Sequence, residues 1–315
     1  MAKALLLAPM SELSHRALRQ LIEDFGGADE YFGEMTSAGA VVGGGPFEKY
    51  YLDSGPAPER FVYQICGSKQ EALCKAAEFL NKRDCLGVDV NMGCAAPAIY
   101  KRGAGAAWLK SVDKAGVLAA ALRKRVTKRL SVKLRVGETD DFEYLLEFCK
   151  RLQDEGVDFI TLHGRTISEK FKGACRWDYA EALKKELKIP VAGNGGITNA
   201  AEFAFRVENS MCDAVMIGRL AVKEPWIFSV CRNGLQTEGS FLTPLKLQDS
   251  ALCFLEYLNL YQPPEFHYSR ARRFFYYFFA NIKWAEYMRN RVNREKTLAQ
   301  MEKLIIEYFS NEALC

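Results

Sequence analysis

The residues best suited to chemistry stand where apolar runs give out. Along the chain those runs end in Met10, Glu34, Gln64, Asn91, Lys133, His163, Asn194 and Arg219. Long polar side chains gathered in one place are costly unless they find partners. A bound ligand is one such partner, and a plain hydrogen-bonded network is the alternative. Two late turns, Gly193-Asn194-Gly195-Gly196 and Ile217-Gly218-Arg219, could offer backbone N–H groups to a phosphate, with the Arg219 guanidinium adding charge. The segment VDVNMGCAAPAIYKRGAGAAWLK sets Cys94 directly after Gly93 on a loop leaving an apolar run. A thiol there could donate a proton, attack an electrophile or ligate a metal.

The metal option fails on spacing. The ten cysteines contain no Cys-x-x-Cys pair and scatter from Cys66 to Cys315, mostly in apolar stretches such as EFCKRL and SALCFL. That argues against structural zinc, iron–sulfur clusters and a secreted disulfide scaffold. Most of them read as buried small hydrophobes in a reducing compartment. No window reaches the roughly 18 apolar residues of a membrane span. The opening MAKALLLAPM reads as a strand leading into a helix, without a cleavage-like site. A cytoplasmic protein with no structural metal and no membrane segment is expected.

These side chains need a frame, and the hydrophobic pattern supplies one. Eight apolar runs read as strands: ALLLAP, ADEYFGEM, RFVYQICG, LGVDVNMG, LSVKLRVG, VDFITLHG, IPVAGNGG and CDAVMIGR. Between most of them lie segments with helical period, such as HRALRQLIEDF, QEALCKAAEFLN and DFEYLLEFCKRLQDEG. Runs that are apolar throughout suit a parallel sheet buried on both faces. Eight strands with crossover helices predict an α/β fold, a (β/α)8 TIM barrel, whose reactive groups come from the carboxyl ends of strands. A doubly wound sheet would need its glycine-rich turn after the first strand, which instead ends in Ala8-Pro9-Met10. The strand signal stops after Gly234. Residues 1–236 are therefore expected to form the barrel and 237–315 a small all-α domain of three helices, one spanning SRARRFFYYFFANIKWAEYMRN.

Net charge is +4, too small by itself to prove a polyanionic partner. Its distribution says more. Basic residues cluster in RKRVTKR (Arg123 to Arg129) and again from Arg270 to Arg294. A solvated helix face explains either cluster, but Arg270, Arg272 and Arg273 interleave with Tyr268, Phe274 and Tyr276, a mixture suited to RNA.

Taken in order, the motifs resemble the dihydrouridine synthase family. Asn91-Met92-Gly93-Cys94 with Gly103-Ala104-Gly105 is similar to its signature. Ala8-Pro9-Met10, Gln64-Ile65-Cys66-Gly67, Lys133-Leu134-Arg135, His163-Gly164-Arg165-Thr166, Gly193-Asn194-Gly195 and Met216-Ile217-Gly218-Arg219 follow the family's order. The similarity runs from about residue 5 to residue 220, and the helical tail suits the family's RNA-binding domain. The chain departs from the family at Ala95, where proline is usual, at Ala98, often lysine, and at Gly196, commonly acidic.

The resemblance implies an FMN-dependent enzyme, reduced by NADPH, that saturates the C5=C6 bond of specific tRNA uridines. It implies that Ala8, Pro9 and Met10 pack on the flavin, and that Gln64, Lys133 and His163 meet its polar edge. Asn194, Gly195, Gly196, Gly218 and Arg219 would hold its phosphate. Hydride would pass from flavin N5 to C6, and Cys94 would protonate C5, since a thiol is mostly protonated at neutral pH. Asn91, Arg165 and Glu34 would face the flipped-out base, and Arg270, Arg272 and Arg273 the RNA. Two other readings fit less of the chain. An FMN barrel acting on a free pyrimidine or enone leaves the basic tail unexplained, and a non-catalytic tRNA-binding barrel leaves Cys94, Asn91 and Lys133 unexplained.

Overall fold

A computed structural model describes residues 3–312; Cys315, the last of the ten cysteines, lies outside them. Nine strands form one sheet: β1 (Ala4–Leu7), β2 (Glu30–Phe32), β3 (Thr36–Ser37), β4 (Phe61–Cys66), β5 (Gly87–Met92), β6 (Arg129–Arg135), β7 (Phe159–His163), β8 (Val191–Asn194) and β9 (Ala214–Ile217). Every pairing is parallel. Strands β1, β2 and β4 to β9 pair in sequence, and β1 pairs β9, so these eight close into a barrel. β3 is a two-residue addition along the carboxyl end of β4.

Strand alternation sorts the side chains. Leu6, Phe32, Val62, Phe159, Ala192, Ala214 and Met216 fill the lumen as a small core of their own. The opposite faces pack beneath the surrounding helices in a larger core, which continues into Phe254, Phe274, Phe275 and Phe278 of the helical region. At the amino-terminal floor Arg129 forms a bidentate pair with Glu30 (2.8 and 2.6 Å) and lies over the Phe159 ring. The basic run that ends at Arg129 is thus at the pole opposite the strand ends.

Helix starts follow their caps. Ser111, Asp141, Asn199 and Thr243 each accept a backbone N–H three residues on. Two elements differ from expectation. The ADEYFGEM run yields only Glu30–Phe32 as barrel strand, while Trp177–Glu186 forms the crossover helix between β7 and β8. The single helix expected across SRARRFFYYFFANIKWAEYMRN is two, Pro264–Phe278 and Ala285–Val292, parted at Trp284, whose φ of 55° is left-handed. Among the described residues the helical region therefore has four α-helices, with Pro244–Tyr261 before these and Leu298–Glu312 after. Helix Pro244–Tyr261 packs on helix Arg16–Asp24 of the barrel wall. Among the described residues no helix is long and apolar enough to cross a membrane, and no cluster of side chains could hold a metal ion.

Candidate active site

Three neighbouring strands build one side of the barrel mouth. Gln64, Asp89 and Ser131 are register partners across β4, β5 and β6, and all three are buried. Asp89 accepts from Ser131 Oγ and from Gln64 Nε2, each at 2.7 Å. Asn91, two residues on and so on the same face, donates Nδ2 to Gln64 Oε1 at 2.9 Å. Its own Oδ1 accepts the N–H groups of Gly93 (3.1 Å) and Cys94 (2.8 Å). Burial pushes the Asp89 carboxyl up to about 6, against the opposing pull of its two hydrogen bonds and of Lys133.

The Cys94 loop is fixed at both ends. Besides the bond from its N–H, the Cys94 carbonyl accepts from Ala106 N at 3.0 Å. Gly105, at φ +60°, passes so close that a Cβ there would lie 2.6 Å from that carbonyl. Arg135 reaches from β6 to Gly93 O (2.9 Å) and onward to the carbonyls of Thr166 and Lys170. Pro97, the first residue of helix Pro97–Tyr100, stiffens the loop two positions beyond Ala95. The Cys94 side chain is half-buried at the mouth, and burial raises the neighbouring Cys66 thiol to about 11.

Alongside, starting from Lys133, the register partner of Asn91, stands a cationic cluster. Burial draws Lys133 down to about 8, with Arg135 adding to the shift, and among the described residues its Nζ has neither hydrogen-bond nor ion-pair partner. His163 is held neutral, near 2, by burial and then by Lys133, Arg135, Arg165 and Arg219. Arg165 NH1 lies 3.3 Å from His163 Nε2, and because a guanidinium can only donate, the ring proton belongs on Nδ1. Arg165 also donates to Gly173 O, at 3.1 and 2.8 Å, so it is partly spent on its own loop. Phe171, exposed at this rim, carries the guanidinium groups of Arg135 and Arg219 on its ring at 5.5 and 5.3 Å.

The late turns close the circle. Gly195 and Gly196 have φ of +105° and +82°, and a Cβ at Gly195 would lie 2.5 Å from the His163 ring. Trp177 Nε1 donates to Gly195 O (3.0 Å), and Asn194 Nδ2 donates to Met216 O (2.8 Å). A Cβ at Gly218 would meet Met10 Sδ at 3.2 Å, so the ends of β1 and β9 adjoin, with Ala8 and Pro9 beside them. Arg135, Trp177, Phe171 and Asp89 belong to this site without having been singled out from the sequence. For Asp89 a signal existed, since it alternates with Asn91 on one face of β5.

Two expected substrate contacts are corrected. Arg270 is not on an RNA-facing surface: its side chain is 2% exposed and pairs with Glu34, 3% exposed, at 3.0 Å. Glu34 is equally committed, since its Oε1 accepts the Glu12 N–H at 2.6 Å. Arg270 follows the apolar stripe of its helix, four residues before Phe274, and joins that helix to the mouth. Arg273 is exposed and Arg272 half-buried. They line a groove of about 380 Å³ with Glu12, Tyr276, Arg289 and Asn293, beside the loop after β1.

A family model for dihydrouridine synthase (Dus) matches residues 6–312. The chain belongs to the dihydrouridine synthase family. It is 31% identical over 238 residues to a tRNA-dihydrouridine synthase B of Pasteurella multocida, covering 76% of this chain and 71% of that one. A probable tRNA-dihydrouridine synthase of Helicobacter pylori strain J99 is 30% identical over 321 residues, covering 99% and 94%. Among solved structures, a histamine dehydrogenase from Rhizobium sp. 4-9 superposes with TM-score 0.55 at 10% identity, over 81% of this chain and 49% of its own. A morphinone reductase variant in complex with tetrahydroNAD gives 0.52 at 13%, over 73% and 86%. At such identities these two establish the TIM-barrel fold alone. As a dihydrouridine synthase the chain is an oxidoreductase that uses FMN, with NAD(P)H as reductant.

Proposed function

We propose that this dihydrouridine synthase acts on tRNA in the cytoplasm, reducing selected uridines to 5,6-dihydrouridine at the expense of NADPH, with Cys94 as the proton donor. The carrying observation is the placement of Cys94, half-buried at the mouth and held by Asn91, whose register partner on β6 is an uncommitted lysine.

FMN fits the residues around the mouth. The unpartnered Lys133 Nζ and the remaining N–H of Gln64 suit the polar edge of the ring, with neutral His163 alongside. Ala8, Pro9 and Met10 offer an apolar rest, and the turns of Asn194 to Gly196 and Gly218 to Arg219 suit the phosphate. When bound, FMN supplies the hydride that C6 of the uracil accepts. The cationic mouth stabilises the negative charge that develops toward C5 and O4. The Cys94 Sγ–H bond breaks as its proton passes to C5, and the thiolate regains a proton from solvent. Asn91 and Arg165, each with N–H groups left over, reach for the uracil carbonyls. Arg272 and Arg273 take the RNA backbone.

The test is direct. Purified protein should carry flavin absorbance that bleaches with NADPH, and should add two hydrogens to uridines of tRNA lacking dihydrouridine. Cys94→Ala should keep FMN and the NADPH half-reaction but fail to reduce tRNA. Full tRNA reduction by that variant removes the acid role, and a chain that cannot be loaded with flavin removes the proposal altogether.

A further inference from the structure

We propose that Asp89 is a positioning residue of this site, whose acceptor-only carboxylate fixes the amide orientations of Gln64 and Asn91 and thereby the seat of Cys94. The argument is one of donor and acceptor parity. A carboxylate accepts and cannot donate, whereas a side-chain amide has one end of each kind. With Asp89 receiving Ser131 Oγ–H and Gln64 Nε2–H, Gln64 must turn Oε1 toward Asn91. Asn91 must then answer with Nδ2, which leaves only Oδ1 to face the loop. There it accepts the N–H groups of Gly93 and Cys94. Three consecutive bonds of 2.7, 2.9 and 2.8 Å thus run from a fully buried carboxylate to the Cys94 backbone. Turning either amide alone sets donor against donor or acceptor against acceptor, beside Gln64 and Asp89, which are closed to water.

Nothing else orders the chain of bonds from below. Ser131 cannot, because a hydroxyl serves as donor or acceptor alike. The raised Asp89 carboxyl remains ionised at neutral pH, so the acceptor-only state is the working one.

Parity makes an exact reversal possible. Asn91→Asp alone places an acceptor against Gln64 Oε1; if Gln64 turns to meet it, acceptor then opposes Asp89. Adding Asp89→Asn allows every bond to reverse. The amide at 89 accepts from Ser131 and donates to a turned Gln64, which donates to the carboxylate at 91, and that carboxylate still accepts from Cys94.

The inference deepens the reading of Cys94 as the acid, but its readout does not depend on turnover. The full-length purified chain is treated with iodoacetamide, and Cys94 alkylation is timed by peptide mass spectrometry, which separates it from the other cysteines. Asn91→Asp should change the Cys94 alkylation rate at least fivefold. Asp89→Asn combined with Asn91→Asp should return it to within twofold of the unaltered chain, although both variants carry the carboxylate at 91. A double variant no closer to the unaltered rate than Asn91→Asp, or an Asn91→Asp rate equal to the unaltered one, overturns the proposal. If either variant does not fold, Asp89→Leu decides. It removes the carboxylate and keeps the branched side-chain shape, so a changed rate supports the role and an unchanged rate ends it. Should Cys94 prove not to be the acid, these rates would still report whether Asp89 seats it.

Discussion

Arg270 NH1 lies 3.0 Å from Glu34 Oε2, and both side chains are sealed from solvent. Around them the pair is built to be shared: Arg270 also donates to Gln262 and lies over the Phe266 ring, while Glu34 Oε1 holds the N–H of Glu12. Glu12 itself has a left-handed φ of 62° and points its carboxylate toward Arg273, 3.8 Å away. One buried ion pair therefore ties the helical region to a strained loop at the mouth.

Breaking that pair from one side leaves a buried charge uncompensated. Arg270→Ala or Glu34→Ala should each cost about 3–5 kcal/mol in urea denaturation, whereas replacing both by apolar residues of similar volume should recover most of the loss. A single truncation costing under about 1 kcal/mol would show that the helical region is held without the pair.

Gly105 tests the other end of the Cys94 loop. Gly105→Ala must bear a left-handed backbone, about 1–2 kcal/mol, and a Cβ set 2.6 Å from Cys94 O. It should lower the rate of tRNA reduction more than tenfold while leaving the flavin spectrum and a cooperative melt in place. Gly103→Ala is the control. At φ +77° it carries the same kind of backbone strain, but its nearest neighbour is Ser68 Cβ at 3.6 Å, so it should stay within a few-fold. Equal losses in the two variants would assign the effect to backbone strain and not to the seat of Cys94.

Much of this was legible in the sequence, for physical reasons. Polar residues ending apolar runs marked the barrel mouth, because strand ends are where a buried run meets water. Long-range partners were not legible: nothing local in Ser131 or Gln64 announces Asp89 between them. Arg270 was misread with Arg272 and Arg273 because composition does not separate the faces of a helix. Its spacing of four from Phe274 does, and it places Arg270 on the apolar side. The break at Trp284 had no glycine or proline to announce it. The basic run from Arg123 to Arg129 leads into the start of β6, which places it at the floor, away from the strand ends.

The groove formed by the helix Pro264–Phe278 carries a salt-dependent prediction. Each Lys or Arg that neutralises a phosphate contributes about 0.7–0.9 to the slope of log K against log salt. If Arg272 and Arg273 each meet a phosphate, Arg272→Ala with Arg273→Ala should weaken tRNA binding and flatten that slope by about 1.5. Arg125→Ala, exposed at the opposite pole, should leave the slope alone. An unchanged slope in the double variant would move the RNA path off this groove.

Lys133 gives a prediction whose sign depends on pH. Its folded pKa of about 8 lies below the ordinary 10.5, so between those values the unfolded chain binds the extra proton. Below about pH 8 the lysine therefore destabilises the flavin-free protein, and the penalty lifts as pH rises from there toward 10.5. Lys133 is half-buried, so solvent screens the charge and the penalty is about 1–2 kcal/mol. Lys133→Met should accordingly stabilise flavin-free protein by that amount in urea at pH 7, with the advantage gone by about pH 10. Anionic FMN should offset the penalty in the unaltered chain, so the gain should shrink or reverse once the cofactor is present. A Lys133→Met variant that is less stable than the unaltered chain without flavin at pH 7 would mean that the ammonium already has a counter-charge in the empty mouth.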